Sequence, residues 1–283
     1  MKAGFTFKNR HSGEFGITVK TKSRPIVPEQ KIYSYDIPLM DGEYDMTSSN
    51  PYGRPFYKNR LFELELSIAG ASLEELQHKA ARIASWLTGN GELIFDDTSA
   101  CKWNARVCSD VSFVPEHRGR MAKMNVVFRV DIGEATFNTA DGIKLSDGVR
   151  LDSDLPLDIS VQFEKTLIKG ENQIDFINIG DYFVRPVFEF TGEAKSITVN
   201  SGSKSIIVQN PYGGGTVIDF EKCRTTSTSG YNLLSLTEGD FFEFSGGKTQ
   251  ITVSVDAQST LIMHYTPRTI YNFNFTDIDW GES

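Results

Sequence analysis

The chain has 283 residues, 39% of them hydrophobic, which is enough for one large or two ordinary globular domains. Its 29 Lys and Arg stand against 37 Asp and Glu, and the net charge of −8 argues against a general duplex-binding surface while leaving room for a local basic patch. Phe and Tyr, at 20 and 10 residues, favour β-structure, and three Cys are too few and too odd in number for a disulfide scaffold, so reduced thiols are expected.

The opening residues MKAGFTFKNRHSGEFG contain no apolar signal core. No uninterrupted apolar run reaches the ~18 residues of a membrane span. Synthesis in the cytoplasm, without secretion through a signal peptide or membrane insertion, is the expectation. Gly4–Phe7 and Phe15–Val19 then read as two short strands, joined as a hairpin through a polar turn at Asn9–Gly13. Arg24–Pro28 carries two prolines, Ile32–Ile37 has the length of a short strand, and Pro38–Tyr57 has loop chemistry. An aromatic-bearing loop of roughly 20 residues is longer than most connections in compact domains, which points to ordering by a partner. Tyr52, Phe56 and Tyr57 are its candidate oligomer or partner contacts.

Leu61–Asp97 carries the strongest signals. Phe62, Leu64, Leu66 and Ile68 alternate with Glu63, Glu65 and Ser67, the period of a half-buried strand. Ser72 stands three residues before Glu75 as a capping box and opens a helix over 72–88. Its apolar stripe is Leu73, Leu76, Ala80, Ile83, Ala84 and Leu87, with Lys79 and Arg82 on the other side. Gly89 and Gly91 supply the positive φ that stops it, and Leu93–Phe95 begins another strand. Trp103, Ala105 and Val107, then Met124, Val126, Phe128 and Val130, form two more one-sided strands, with Val111–Gly119 as a turn between them.

The pattern dissolves over Ile132–Leu157, which reads as a linker. Beyond it, strands are expected at Ile159/Val161/Phe163, Phe188/Phe190, Ile197/Val199, Ile206/Val208, Ile218/Phe220, Ile251/Val253/Val255 and Leu261/Met263/Tyr265, the spacing of a sandwich or barrel. Tyr271–Ser283 reads as an aromatic, acidic tail. The fold class is therefore mainly β: a β-rich α+β domain with one helix over 1–133, a linker over 134–157, a β-sandwich over 158–268 and a tail over 269–283.

The chemical candidates resolve into structural ones. Asp96 and Asp97 are adjacent on a strand end, point to opposite faces and cap turns. His11, His78, His117 and His264 show no metal spacing, and Cys101, expected at a loop edge, and Cys108, expected on a strand, have no second pair, so no metal, cofactor or catalytic residue is expected. Gly213–Gly215 lacks the Lys-Ser/Thr of a phosphate loop. Trp86 reads as core beside Leu87. Tyr212, Tyr231 and Phe241, with Phe242, are the candidate exposed aromatics of the sandwich.

The order of motifs resembles the distal tail (Dit) proteins of long, non-contractile-tailed phages of Gram-positive bacteria. The motifs are GFTFKNRHSGEFGI at 4–17, YSYDIPLMDGEYD at 33–45, FELELSIAG, the helix ending ASWL and GELIFDD at 91–97. In the second half INIGDYFVRPVFEFTGEAKSITV at 177–199, TVIDFEKC at 216–223 and FFEFSGGKTQITV at 241–253 look like the family's galectin-like or carbohydrate-module-like sandwich. Two departures are the long insertion at 132–157 and the longer end after Pro267.

The resemblance implies a structural virion protein of the tail tip, not an enzyme. It would be a hexameric ring formed by the N-terminal half, with the sandwich projecting outward and DNA passing through the centre without sequence-specific binding. Its partners would be the tail tube protein, the tail-associated spike and the baseplate or receptor-binding proteins. The alternative is a carbohydrate-binding module attaching directly to cell-wall glycan.

Overall fold

A computed structural model describes residues 4–50, 52–99, 101–135 and 163–271. The strand expected at Ile159/Val161, most of the linker and nearly all of the Tyr271–Ser283 tail lie outside these residues. The chain divides into two compact units, Met1–Gly133 and Glu134–Ser283.

The first unit is built on one large antiparallel sheet and one α-helix. Along the sheet the strands run Arg10–His11, Phe5–Phe7, Asn90–Phe95, Cys101–Val107, Met121–Val130, Arg60–Ala69 and Thr18–Ser23. The backbone of the arrangement is the ten-residue pairing of Arg60–Ala69 with Met121–Val130, in register from Arg60↔Val130 to Ala69↔Met121. Its inner face carries the alternating apolar set: Phe62, Leu64, Leu66 and Ile68 from one strand, Met124, Val126, Phe128 and Val130 from the other, all buried. Phe5–Phe7 lies three strand positions from Met121–Val130, yet the Phe5 and Phe7 rings sit 5.7 and 5.2 Å from Phe128. The sheet is therefore strongly curled around an aromatic core that also includes Phe95 and Trp103.

The helix, Leu73–Leu87, closes this core. Ser72 Oγ accepts from Glu75 N–H at 3.2 Å, but Glu75 reaches back to the Ala71 N–H at 2.7 Å rather than to Ser72, so the capping box is shifted by one residue. Lys79, one turn on, bonds the same carboxylate and, with that N–H, holds it below the usual Glu range. The buried stripe is Leu76, Ala80, Ile83, Trp86 and Leu87. Leu73 is 44% exposed because it precedes the turn that meets the sheet. At the far end Gly89 adopts φ +84, and Lys8 Nζ donates to the Thr88 carbonyl, a cation at a helix C-terminus. Gly91 has no positive φ; its missing Cβ leaves room for the Lys8 stem, which a Cβ would approach to 2.5 Å.

Several expectations for this unit are corrected. Phe5–Phe7 pairs with Arg10–His11 across a two-residue turn in which Lys8 and Asn9 both have positive φ, the requirement of a type I′ hairpin. Phe15 ends a short 3-10 helix instead of starting a strand, and Thr18–Ser23 pairs with Arg60–Ala69. Pro115 lies in a short strand, Val114–Glu116, at the border of the sheet, where its missing N–H is tolerated. Cys101 is fully buried at the start of its strand, and Cys108 is exposed just past the end of it.

The second unit is a sandwich of two five-stranded antiparallel sheets. One runs Phe163–Leu167, Ser259–His264, Val187–Gly192, Thr216–Asp219 and Arg224–Ser227; the other runs Gly170–Asn178, Gly247–Val255, Ser196–Ser201, Lys204–Gln209 and Thr237–Gly239. They meet through Phe176, 6.4 Å from Phe188 and 5.2 Å from Tyr265. Phe220, Phe242 and Phe244 fill the same core. Tyr265 donates its hydroxyl to the Ile177 carbonyl at 2.6 Å, and burial pushes its phenol well above the ordinary value. Gly170–Asn178, nine residues long, carries alternation only in Ile174, Phe176 and a buried polar residue, Asn178, whose amide bonds the Tyr182 carbonyl and the Gly180 N–H. Gly239, at φ +96, passes so close to Lys204–Gln209 that a Cβ would lie 2.2 Å from the Ser205 carbonyl oxygen.

If the helix stripe closes the first core, Ile83→Ala lowers unfolding free energy by about 2–5 kcal/mol in a urea titration. A loss below about 1 kcal/mol contradicts that burial.

Candidate assembly surfaces

Residues 24–59 leave the first unit between Thr18–Ser23 and Arg60–Ala69, which are hydrogen-bonded neighbours in the sheet. The excursion is therefore pinched at its root. Arg60 strengthens the root by donating to the Ile26 carbonyl at 2.8 Å, and Lys58 pairs with Glu29 at 2.6 Å. Beyond it the chain forms an arm of two small ribbons, Gln30–Lys31 with Phe56–Tyr57 and Ser34–Asp36 with Glu43–Asp45. The expected strand at Ile32–Ile37 is thus shorter, and the expected loop at Pro38–Tyr57 supplies its partner, Glu43–Asp45, and that of Gln30–Lys31. Two-stranded ribbons without a covered face are marginal on their own, which fits a segment ordered by what it contacts.

Two of the three aromatics expected at this loop are brought together at the arm's base, and Tyr57 follows on the strand that pairs with Gln30–Lys31. Tyr52 and Phe56 meet edge to face at 6.1 Å, and the Arg54 guanidinium lies 4.9 Å from the Phe56 ring. Asn50 ties the turn through the Arg54 carbonyl at 2.8 Å and the Tyr52 N–H at 3.0 Å. Phe56 and Tyr57 are half-buried, and Tyr52 is exposed.

The larger apolar surface, which the sequence reading did not single out, is farther along the arm. Ile32, Tyr35 and Leu39 are 70%, 61% and 110% exposed, and Tyr33, Met40, Tyr44 and Met46 are also exposed. Their signal was an apolar and aromatic content too high for a solvated loop. Between Lys31 and Arg54 the arm carries Asp36, Asp41, Glu43 and Asp45 and no Lys or Arg. Bonds from the Thr47 hydroxyl and N–H hold Asp45 below the usual carboxylate range.

The face of the sheet turned away from the aromatic core has the opposite charge. Alternation places Lys20, Lys22, Lys102, Arg106, Lys123 and Arg129 on it, against Glu63, Glu65 and Glu92. Lys22, Lys102 and Lys123 pair with Glu65, Glu92 and Glu116. Arg106 and Arg129 stand directly opposite each other in register, next to the half-exposed Leu61. Like charges so placed repel, and neither arginine has a carboxylate partner among the described residues.

In the sandwich, Tyr212 and Tyr231 are 63% and 57% exposed and stack on each other at 4.9 Å. Asn210 fixes the turn beneath them, accepting from Tyr212 N–H and donating to the Gly215 carbonyl. Phe241 is half-buried against Phe220 at 6.0 Å. Phe242, expected to be exposed, is instead buried, since alternation turns it with Phe244 into the core. A cleft of about 430 Å³ is lined by Arg185, Asp219, Glu221, Lys222, His264 and Arg268 among others. Its cations are paired: Arg185 with Glu243, Lys222 with Asp219, and Arg268 with Glu221 and Glu134. Among the described residues no group of three or more His, Cys, Asp or Glu is placed to hold a metal ion, and no helix is long and apolar enough to cross a membrane.

Residues 11–130 match the phage tail protein RIFT-related domain family. The match takes in the helix and most strands of the curled sheet. No curated protein sequence matches the chain significantly. Over nearly its whole length the chain is similar in fold to the Dit protein of phage SPP1, whose crystal structure is described as a paradigm of the hub adsorption apparatus in phages infecting Gram-positive bacteria. That likeness has a TM-score of 0.64 at 13% identity and covers 94% of this chain and 98% of that one. Structures of the phage p2 baseplate in its activated conformation, with Ca or with Sr, give a TM-score of 0.37 at 10% identity over 93% of this chain and 98% of theirs. The resemblance to distal tail proteins is borne out in the domain match and in the fold, which is mainly β and similar to that of Dit.

Proposed function

We propose that the protein is the distal hub of a long, non-contractile phage tail, a homo-oligomeric ring that joins the tail tube to the host-adsorption apparatus. The observation that carries this reading is the match to the phage tail domain family over residues 11–130 inside a chain whose fold is similar to that of SPP1 Dit over 94% of its length. The curled sheet of the first unit is the ring-forming part, hexameric in this reading, and it presents the arm with Tyr52, Phe56 and Tyr57 at its base. The sandwich is a second module for the spike, baseplate or receptor-binding proteins. The work of such a protein is assembly rather than catalysis, at the tail tip of the virion. DNA passes through the ring during ejection, and an overall charge of −8 favours sliding over retention of a polyanion.

A second reading has its own observation. The exposed Tyr212–Tyr231 stack is an aromatic surface on which a sugar ring packs, so the sandwich also serves as an attachment module for cell-wall glycan.

Light scattering on the purified protein is expected to give six times the protomer mass of 31.6 kDa, with rings in electron micrographs. A monomer at high concentration contradicts the hub reading. For the second reading, retention on host-wall polysaccharide is expected to be lost in Tyr231→Ala, and retention equal to that of the unaltered protein counts against it.

A further inference from the structure

The polar cleft of the sandwich and the exposed Tyr212–Tyr231 stack stand at the two ends of one two-stranded ribbon. We propose that they are the two ends of a single site for an uncharged oligosaccharide, the cleft holding its hydroxyls and the tyrosines its ring faces. The inference rests on the glycan reading of the sandwich and deepens it by adding the cleft to the site and by naming the class of ligand.

The ribbon is Thr216–Asp219 paired with Arg224–Ser227, in register from Thr216↔Ser227 to Asp219↔Arg224. Asp219, at one end, lies in the wall of the cleft. At the other end Tyr212 sits in the turn before Thr216, and Tyr231 is tied to Ser227 twice, its N–H donating to the hydroxyl at 3.0 Å and its carbonyl accepting the N–H at 2.8 Å. Four residues at about 3.3 Å each put roughly 13 Å between the two ends, a span for a chain of sugar rings rather than for one. Val217 and Thr226 stand opposite each other between them, half-buried, and alternation places them on the same side as Asp219 and Arg224. The tyrosine stack thus continues along an accessible face into a concave polar site.

Charge selects the ligand class. Every cation lining the cleft faces a carboxylate: Arg185 with Glu243, Lys222 with Asp219, Arg268 with Glu221 and Glu134, and His264 lies 3.8 Å from Glu189. An ion of either sign placed there meets one attraction and one repulsion, so neither a phosphate polymer nor a free cation gains much. The pairs nevertheless leave hydrogen-bonding capacity. Lys222 has three donors and its contact with Asp219, at 3.5 Å, takes one of them; Arg268 has five N–H groups and meets its carboxylates through Nε and one Nη. A sugar hydroxyl both donates and accepts, so it bridges a spare N–H and a spare carboxylate lone pair at once. Val184, Val187 and the Tyr265 ring give the wall its apolar share, and about 430 Å³ falls inside the range of about 300–1,000 Å³ for small-ligand pockets.

The test uses full-length protein and host-wall polysaccharide divided by anion exchange into a neutral and a phosphate-bearing fraction, with affinity read by titration calorimetry. Two variants address the cleft: Thr266→Trp, an exposed lining position whose new indole fills the space, and Glu221→Ala with Lys222→Ala, which removes exposed polar groups. Circular dichroism and the melting curve verify folding in each. The unaltered protein is expected to bind the neutral fraction with an affinity that added salt leaves unchanged. Each cleft variant, and Tyr231→Ala, is expected to weaken that binding by at least about tenfold, since hydroxyl partners or a stacking face are lost. Unchanged binding in either cleft variant overturns the joint site while leaving the glycan reading intact. Binding confined to the phosphate-bearing fraction and weakened by salt overturns the ligand class. Unchanged binding in Tyr231→Ala, or retention of neither fraction, overturns the glycan reading itself and the inference with it.

Discussion

The first unit depends on one side chain held in three ways. Trp86 lies between Phe15 at 4.5 Å and Phe5 at 5.5 Å, both rings nearly parallel to the indole, and its Nε1 donates to the Phe7 carbonyl at 2.8 Å. Each stacked pair contributes about 0.5–1.5 kcal/mol beyond the burial of the rings. The indole N–H, which burial would otherwise leave unsatisfied at a cost of about 1–3 kcal/mol, is bonded to the backbone of the first strand. The clamp fastens the helix to a strand some eighty residues earlier and holds the short N-terminal hairpin against the sheet. With the curled sheet fixed in this way, the two strands that pinch the root of the arm are fixed too.

What was legible in the sequence followed from how strictly each segment obeyed one period. Phe62 to Ile68 alternate without exception, and the helix stripe recurs at three and four, so both elements were found with nearly correct ends. The N-terminal hairpin was misplaced because Lys8 and Asn9 are ordinary residues in left-handed backbone, and only tertiary pairing with Asn90–Phe95 makes that turn preferable to the Gly-containing one farther on. Gly170–Asn178 was passed over because its third inward position is an asparagine, apolar in neither composition nor period, yet buried through bonds to backbone. Phe242 was read as exposed beside Phe241 although adjacent residues on extended chain face opposite ways.

The candidate surfaces were legible in kind more than in place. Tyr52, Phe56 and Tyr57 lie in the arm, but the Tyr52 and Phe56 rings pack on each other and on Arg54, which turns part of the expected contact surface into the arm's own support. The exposed side chains lie partly in the expected strand at Ile32–Ile37 and partly beyond it, where Pro38, Asp41 and Gly42 give the segment the look of plain loop. Charge was less informative still: an overall −8 conceals a sheet face on which cations outnumber carboxylates, since composition averages over surfaces that the fold keeps apart. The two units use different means to the same rigidity, a clamped helix in one and facing sheets joined by phenylalanines in the other.

On the hub reading, the first unit is a rigid frame whose arm becomes ordered in the assembly. Hydrogen–deuterium exchange on the assembled protein and on protein diluted below its assembly concentration tests it most directly. Amides of Leu73–Leu87 should be equally protected in both states, while those of residues 32–46 should exchange slowly only in the assembly. Equal, rapid exchange of residues 32–46 in both states would contradict it, as would a helix that gains its protection only on assembly.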